Sequence, residues 1–382
     1  MKNLFYLFLL LISISCGSEP LPLPESPDPE PKPEEEKIEW NLFAEKFQET
    51  LSSVYGGSSG TYITRPDKPD FNYWFNAHVL DVLVDGYLRT NDKDYLIKMK
   101  NLLRGIKVMN RSYWQVYVDD MAWLGISSMN AWKATGDNEY KDVAIYILSE
   151  IRKAHTPVLG GGLQWRFDQP NGKNACSTAP GGILALRLYA ADKKEADLIF
   201  AKELFEWELK NLLNPTNYLI WDNLSLDANG NKILTEWMFT YNVGTFIGMA
   251  RDLYVNTGEQ KYLDIAVRSA RASVTSSDMV KGKMFLESGD HDGGLFKGIL
   301  VRYLTELVYT EGITLAFKNT VIDFLNYNAT LLYEEGTTPF PGVLASAVWN
   351  KRPERPQDLS TQLSAMMLAE TIAKFDRSEL LK

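Results

Sequence analysis

The sequence predicts an all-α protein closed into an (α/α)6 barrel, and three observations point there. From Ile38 onward, apolar residues recur at helical spacing almost throughout, as in Trp40, Phe43, Phe47 and Leu51, and again in Ala77, Leu80, Val84 and Leu88. A short phrase that ends one helix and begins another also returns along the chain. It reads Thr90-Asn91-Asp92-Lys93-Asp94-Tyr95-Leu96, Thr135-Gly136-Asp137-Asn138-Glu139-Tyr140 and Thr257-Gly258-Glu259-Gln260-Lys261-Tyr262-Leu263, with a looser copy at Ala191-Asp192-Lys193-Lys194. Gly or Asn suits a left-handed helix C-cap, the acidic residue suits the next N-cap, and the Tyr is placed to pack on the new helix. The third observation is the spacing of these turns, roughly 45 to 65 residues, which leaves room for about six αα-hairpins after Ile38. A ring of six is the natural closure, and an open solenoid is the structural alternative.

The first segment, 1–16, has the pattern of a targeting signal. Lys2 supplies a positive end, and Leu4 to Ile14 form an apolar run too short to span a bilayer. Ser13-Ile14-Ser15-Cys16 resembles a bacterial lipobox, in which Cys16 becomes the lipidated first residue; an ordinary cleaved signal with an incidental cysteine is the alternative. Residues 17–37 are rich in Pro and Glu, cannot bury a core, and read as an extended charged tether. Glu19 after the cysteine resembles the surface-export signals of Bacteroidetes lipoproteins. The expectation is a lipoprotein of the outer membrane or cell surface of a Gram-negative bacterium, with a periplasmic location as the alternative. Residues 38–382 carry no further linker and are expected to form one domain, acting as a monomer.

Composition narrows the function. The 382 residues carry a formal net charge of -9 and no basic cluster, which argues against a nucleic-acid partner. With ten Trp and 19 Tyr the chain is rich in aromatics; most of these fill a core, and a surplus in clefts would suit stacking on sugar rings. Cys16 and Cys176 do not form a disulfide framework, and His78, His155 and His291 lack metal-ligand spacing, so neither a metal site nor a cofactor is expected.

The chemistry is placed at Tyr113-Trp114-Gln115-Val116-Tyr117-Val118-Asp119-Asp120-Met121-Ala122-Trp123-Leu124-Gly125. The apolar run Met121, Leu124, Met129 and Trp132 begins a helix, so Asp119 and Asp120 fall at its entrance. Mid-helix neighbours point about 100° apart, but residues at an entrance can both face one cleft. Two carboxylates there can approach the roughly 5 Å separation that retaining glycosidases use. The competing reading is an N-cap with an acidic first turn.

Three polar loops are too long to be mere connectors. One runs from His155 to Gly182 and contains Gly160-Gly161-Gly162-Leu163-Gln164-Trp165-Arg166, Lys173-Asn174-Ala175 and Ala179-Pro180-Gly181. No Lys-Ser/Thr follows in P-loop spacing, so its glycines are expected to let backbone approach a ligand or a neighbouring loop. A second runs from Leu213 to Trp237 around Trp221-Asp222. A third, from Glu287 to Lys297, holds Asp290, His291 and Asp292 without EF-hand spacing and reads as solvated.

Taken together these segments resemble glycoside hydrolase family 76, the bacterial endo-α-1,6-mannanases. Five motifs carry the resemblance in family order: Asp119-Asp120 with Trp123; Gly160-Gly161-Gly162 with Trp165; Lys173-Asn174-Ala175; Thr240-Tyr241-Asn242 with Gly244; and Phe296-Lys297-Gly298-Ile299 with Val301-Arg302-Tyr303. Val243, where many members have glutamine, and Gly293-Gly294-Leu295, where a more polar run is common, depart from the pattern. The resemblance implies an (α/α)6 fold, metal-independent hydrolysis of α-mannan with retention, Asp119 as nucleophile and Asp120 as acid/base. It implies sugar contacts from Trp114, Trp123, Trp165, Asn174, Tyr241, Asn242 and Lys297. Core packing is the alternative for each aromatic, loop-backbone bonding for the two Asn residues, and a solvated or paired role for Lys297. A non-catalytic glycan-binding lipoprotein and a transglycosidase are the competing functions on the same scaffold.

Overall fold

Trp40, Phe43, Phe47 and Leu51, the first apolar stripe of the sequence, bury one face of a helix that opens a chain of twelve helices among the described residues. The computed structural model describes residues 37–286, 289–339 and 341–381; the targeting segment, Cys16 and all but the last residue of the tether lie outside them. The helices are α1 (Trp40–Tyr55), α2 (Tyr73–Thr90), α3 (Asp94–Asn110), α4 (Val118–Thr135), α5 (Asn138–Ile151) and α6 (Ala175–Asp192). They continue as α7 (Glu195–Asn211), α8 (Thr240–Thr257), α9 (Gln260–Thr275), α10 (Gly293–Val308), α11 (Leu315–Glu334) and α12 (Leu359–Arg377).

The even-numbered helices pack each on the next, α2 on α4, α4 on α6, α6 on α8, α8 on α10 and α10 on α12, and α12 returns to α2. The ring is therefore closed, and the open solenoid is excluded. The odd-numbered helices form the outer layer, with α1 laid against α12 at the seam. Position decides composition. Every residue of α12 from Leu359 to Ala373 is buried, as an inner helix requires, whereas α9 buries one stripe: Tyr262, Leu263, Ala266, Ser269, Ala270, Ser273 and Val274. Inner helices approach closely at small residues. A Cβ on Gly244 would stand 2.8 Å from Leu300 Cα, and one on Gly298 would stand 2.6 Å from Ser364 Cα.

The recurring phrase makes the turns from inner to outer helices. Asn91, Gly136, Lys193 and Gly258 all adopt the left-handed conformation at the C-caps of α2, α4, α6 and α8. The phrase's Thr binds backbone on both sides of its turn. Thr90 Oγ1 donates to the Gly86 carbonyl and accepts from the Asp92 N–H, and Thr135 and Thr257 repeat the pattern. Tyr95, Tyr140 and Tyr262 are buried on the helices they begin.

Because the short turns occupy one end of the barrel, the long connections all return at the other, above the N-termini of the inner helices. They carry the strands β1 (Ile63–Arg65), β2 (Lys68–Phe71), β3 (Gly172–Asn174), β4 (Asn223–Leu226), β5 (Lys232–Thr235), β6 (Val280–Lys281) and β7 (Met284–Phe285). The order β3-β4-β5 forms an antiparallel sheet joining two of these connections. Two expectations change. The loop from His155 stops at Asn174, because Ala175 to Gly182, including Pro180, are the buried first turns of α6. Leu88, placed in the apolar stripe of α2, is 64% exposed, since it lies in the last turn beyond the ring's packed interior.

Candidate active site

Asp119 and Asp120 occupy the first turn of α4. Tyr117 is the N-cap position and makes no side-chain cap bond, and neither aspartate is an N-cap. The chain enters α4 clamped to the connection that follows α5: the Val118 N–H donates to the Trp165 carbonyl and the Phe167 N–H to the Val116 carbonyl. This pairing lays Trp165 over the carboxylates, and its Nε1 donates to Asp119 Oδ2 at 3.1 Å. Asp119 Oδ1 is buried and finds no hydrogen-bond partner among the described residues. Both side chains open into a cleft of about 1080 Å³ above the helix N-termini.

The cleft is built from the opening turns of five inner helices. Trp74 of α2 contributes one wall and donates from Nε1 to Asp292 Oδ1 at 3.0 Å. Trp123 of α4 lies in the floor, 3% exposed, against His78, a histidine held neutral because burial and nearby Arg302 lower its pKa to about 3. Asn174 and Cys176 come from the entrance of α6, Tyr241 from α8 and Phe296 from α10. Tyr241 and Phe296 stack at 4.0 Å between centroids. Aligned N-termini of this kind favour negative charge where they converge.

Electrostatics separates the two aspartates. Burial raises the Asp119 carboxyl to about 7, while backbone N–H groups, Cys176 and Trp165 pull it down. Burial raises Asp120 well above its ordinary value, and the charges of Asp119 and Asp292 raise it further. Asp119 therefore ionises first and Asp120 keeps its proton. That pairing is what a retaining mechanism needs: one carboxylate to attack and one acid to protonate the departing oxygen.

The structure brings some of the other sequence candidates to the cleft and leaves others away from it. Trp123, Trp165, Asn174 and Tyr241 line it. Trp114 does not: it is 41% exposed and stacks on Phe167 beside the entrance to α4. Asn242 is fully buried and donates from Nδ2 to Asp222 Oδ1 at 3.1 Å, so it braces a cleft carboxylate instead of facing the cleft. Lys297 is buried behind the wall, where it donates to the Ala347 carbonyl and lies 4.1 Å from the Trp349 ring centroid. Val243 is fully buried and is not among the residues that line the cleft. Cys176 is a free, buried thiol.

Sequence reasoning did not single out Trp74, Tyr117, Asp292, Trp237, Phe239 or the lining role of Cys176. Asp292 belongs to the third loop, read as solvated; that loop is tied down, since His291 Nδ1 pairs with buried Asp358 at 2.6 Å and Asp358 also pairs with Arg65. The signal for Trp74 was its place in the first turn of an inner helix. The glycine run makes room for a neighbouring ring. A Cβ on Gly162 would meet the Trp207 ring at 2.6 Å, and Trp207 Nε1 donates to the Leu159 carbonyl. Lys173 is fully buried with a pKa lowered to about 8 by desolvation, and its ammonium binds the Ala154 and Gly162 carbonyls and Thr156. It pins the glycine loop, and its neighbour Asn174 lines the cleft.

Comparison with known proteins agrees with this geometry. The sequence profile of "Glycosyl hydrolase family 76" matches residues 39–379. An inactive double-aspartate variant of the α-1,6-mannanase GH76A of Salegentibacter sp. HEL1_6, solved in complex with α-1,6-mannotriose, is 44% identical, with a TM-score of 0.85 over 88% of this chain and 99% of that one. The Lin0763 protein from Listeria innocua is 28% identical, with a TM-score of 0.81 over 89% of this chain and 99% of that one. A curated relative, mannan endo-1,6-α-mannosidase DCW1 of Candida albicans, is 23% identical over 272 residues, 65% of this chain. The chain spans 56% of the length of that relative.

Proposed function

Because the chain belongs to glycosyl hydrolase family 76, we propose that it is a retaining endo-α-1,6-mannanase that cuts internal bonds of unbranched α-1,6-mannan. The observation that carries this reading is the Asp119–Asp120 pair in the floor of an open cleft, on a scaffold 44% identical to an α-1,6-mannanase whose inactive variant replaces two aspartates.

In the first step the Asp119 carboxylate attacks the anomeric carbon, the bond from that carbon to O6 of the next mannose breaks, and Asp120 gives its proton to that oxygen. In the second, Asp120 takes a proton from water, the hydroxide attacks the same carbon, and the ester bond to Asp119 breaks. Two inversions leave the α configuration. Trp165 bonds Asp119, and Trp74 restrains Asp292, whose charge adds to burial and to the charge of Asp119 in keeping Asp120 protonated. On this reading the cleft of about 1080 Å³ takes the chain at internal positions, and the loops that line it disfavour side branches.

Linear α-1,6-mannan and branched yeast mannan are the discriminating substrates. Linear mannan should yield oligosaccharides of several lengths from the first minutes, initially in the α form by NMR, and branched mannan should react poorly. Release of single mannose alone would refute internal cutting, and an initial β product would refute retention.

The same proposal places the enzyme on the cell envelope, held by lipid on Cys16 and spaced from it by the Pro/Glu tether, as a monomer. The support is the short apolar run, Ser15 before Cys16, and the composition of 17–37. Replacement Cys16→Ala should abolish lipid labelling and membrane fractionation; a labelled variant would refute the anchor.

A further inference from the structure

Trp237 is the most exposed tryptophan among the described residues, with 67% of its surface uncovered, although it lines the cleft. Its ring contact is edge-on to Phe239, at 6.4 Å between centroids. Phe239 in turn meets Phe296 edge-on at 5.4 Å, and Phe296 stacks on Tyr241. Tyr241 stands beside Cys176 and within the field of Asp119. Four rings in succession, Tyr241, Phe296, Phe239 and Trp237, therefore line the cleft, and the last of them is left bare.

An indole surface this open gains little from its own fold. Aromatic rings contribute most when their faces are covered, and uncovered apolar surface in a groove marks a place where a ligand sits. The apolar C–H face of a pyranose is a matching cover. The segment 236–239 is also short and held at both ends, by β5 on one side and the entrance of α8 on the other. The ring is thus presented from an anchored span.

We propose that Trp237 is a remote sugar-binding platform, stacking on a mannosyl unit some distance along the chain from the bond being cut. The inference rests on the endo-α-1,6-mannanase reading and deepens it: affinity grows with chain length because a longer chain reaches Trp237 and a short one does not. Binding energy gained there can also be used to distort the sugar at the carboxylates, so truncated substrates lose rate as well as affinity.

The test uses the full chain carrying Asp119→Asn and Asp120→Asn, so that ligands persist. It is titrated with α-1,6-linked mannobiose and mannohexaose, with and without Trp237→Ala. The expected result is that Trp237→Ala weakens mannohexaose roughly three- to tenfold more than mannobiose, the range of one aromatic contact. Trp237→Phe should restore most of the difference. Equal weakening of both sugars, or of neither, overturns the proposal. The unsubstituted enzyme is incubated with linear α-1,6-mannan in parallel. If it leaves the polymer intact and neither sugar binds, the functional reading falls and the platform falls with it. If it cuts the polymer but Trp237→Ala acts without regard to length, the platform alone is wrong.

Discussion

Two adjacent carboxyls in one cleft cannot both be charged at low cost, and their surroundings decide which one holds the proton. Asp119 receives backbone N–H groups and the Trp165 indole; Asp120 receives the repulsion of Asp119 and Asp292. Asp119→Ala should abolish turnover on every substrate, because no glycosyl-enzyme forms. Asp120→Ala should lose on the order of 10² to 10⁴ on mannan and much less in the first step with an activated aryl leaving group, which needs no proton. Azide should then speed the second step and yield the α-glycosyl azide, whereas azide acting on Asp119→Ala can replace the missing nucleophile only by direct attack and give the β-azide; an α-azide from Asp119→Ala would reverse the roles. The pH profile follows from the same directions. Activity requires Asp119 charged, and its pKa is raised, so kcat/KM should fall on acidification well above the ordinary carboxylate value of about 4. Asp292→Asn removes one cause of the raised Asp120 pKa, so the alkaline limb should move to lower pH. The limbs belong to the pair, so the azide products assign the individual roles.

An inner helix must satisfy the ring and the cleft at once, and its sequence shows both demands. Gly298 of α10 sits against the backbone of α12 at Ser364, where no side chain can move aside. Gly298→Ala should therefore cost about 1–3 kcal/mol in urea unfolding by overpacking, despite the roughly 1 kcal/mol that alanine gains as a helix former. An unchanged or higher midpoint would show that the two helices separate freely. Elements were legible in the sequence because their signals are local: the Thr, the left-handed cap, the acid and the Tyr of each turn lie within a few residues. The position of Asp119 and Asp120 at a helix entrance was legible for the same reason. What was not legible is which neighbour faces the cleft. Tyr241 and Phe296 do, whereas Asn242 and Lys297, one position on and about 100° round the helix, face the barrel wall. Motifs read as strings join residues that the helix then turns apart. Contacts such as Trp74 with Asp292 span 218 residues and leave no local trace.

At the scale of the whole molecule, the end of the barrel opposite the cleft is held by charge pairs that join buried Asp81 and Asp252 to half-buried partners. Arg302 of α10 reaches Asp85 at 2.7 Å and Asp81 at 3.6 Å, and Arg187 of α6 reaches Glu306 at 2.9 Å and Asp252 at 3.6 Å. These pairs cross the ring between inner helices, so removing one partner strands charge inside it. Arg302→Met should cost about 3–5 kcal/mol at neutral pH. Asp81 already has a raised pKa from burial, and losing Arg302 raises it further, so the deficit should shrink as pH falls and the acid takes up a proton. A deficit that stays constant with pH would mean that lost packing dominates. The seam of the ring has a different consequence. α1 lies on α12, and Arg377 donates to Asn41 at 2.7 Å, so the first and last helices are joined. A polypeptide emerging N-terminus first must hold an open arc, with uncovered apolar flanks on α1 and α2, until its final helix arrives. Assembly is then limited by the longest loop closure in the chain and exposed to wrong partners while it waits. A circular permutant that links Arg377 to Trp40 and opens at Gly136 would make that joint local, and its faster refolding would show that the seam sets the rate.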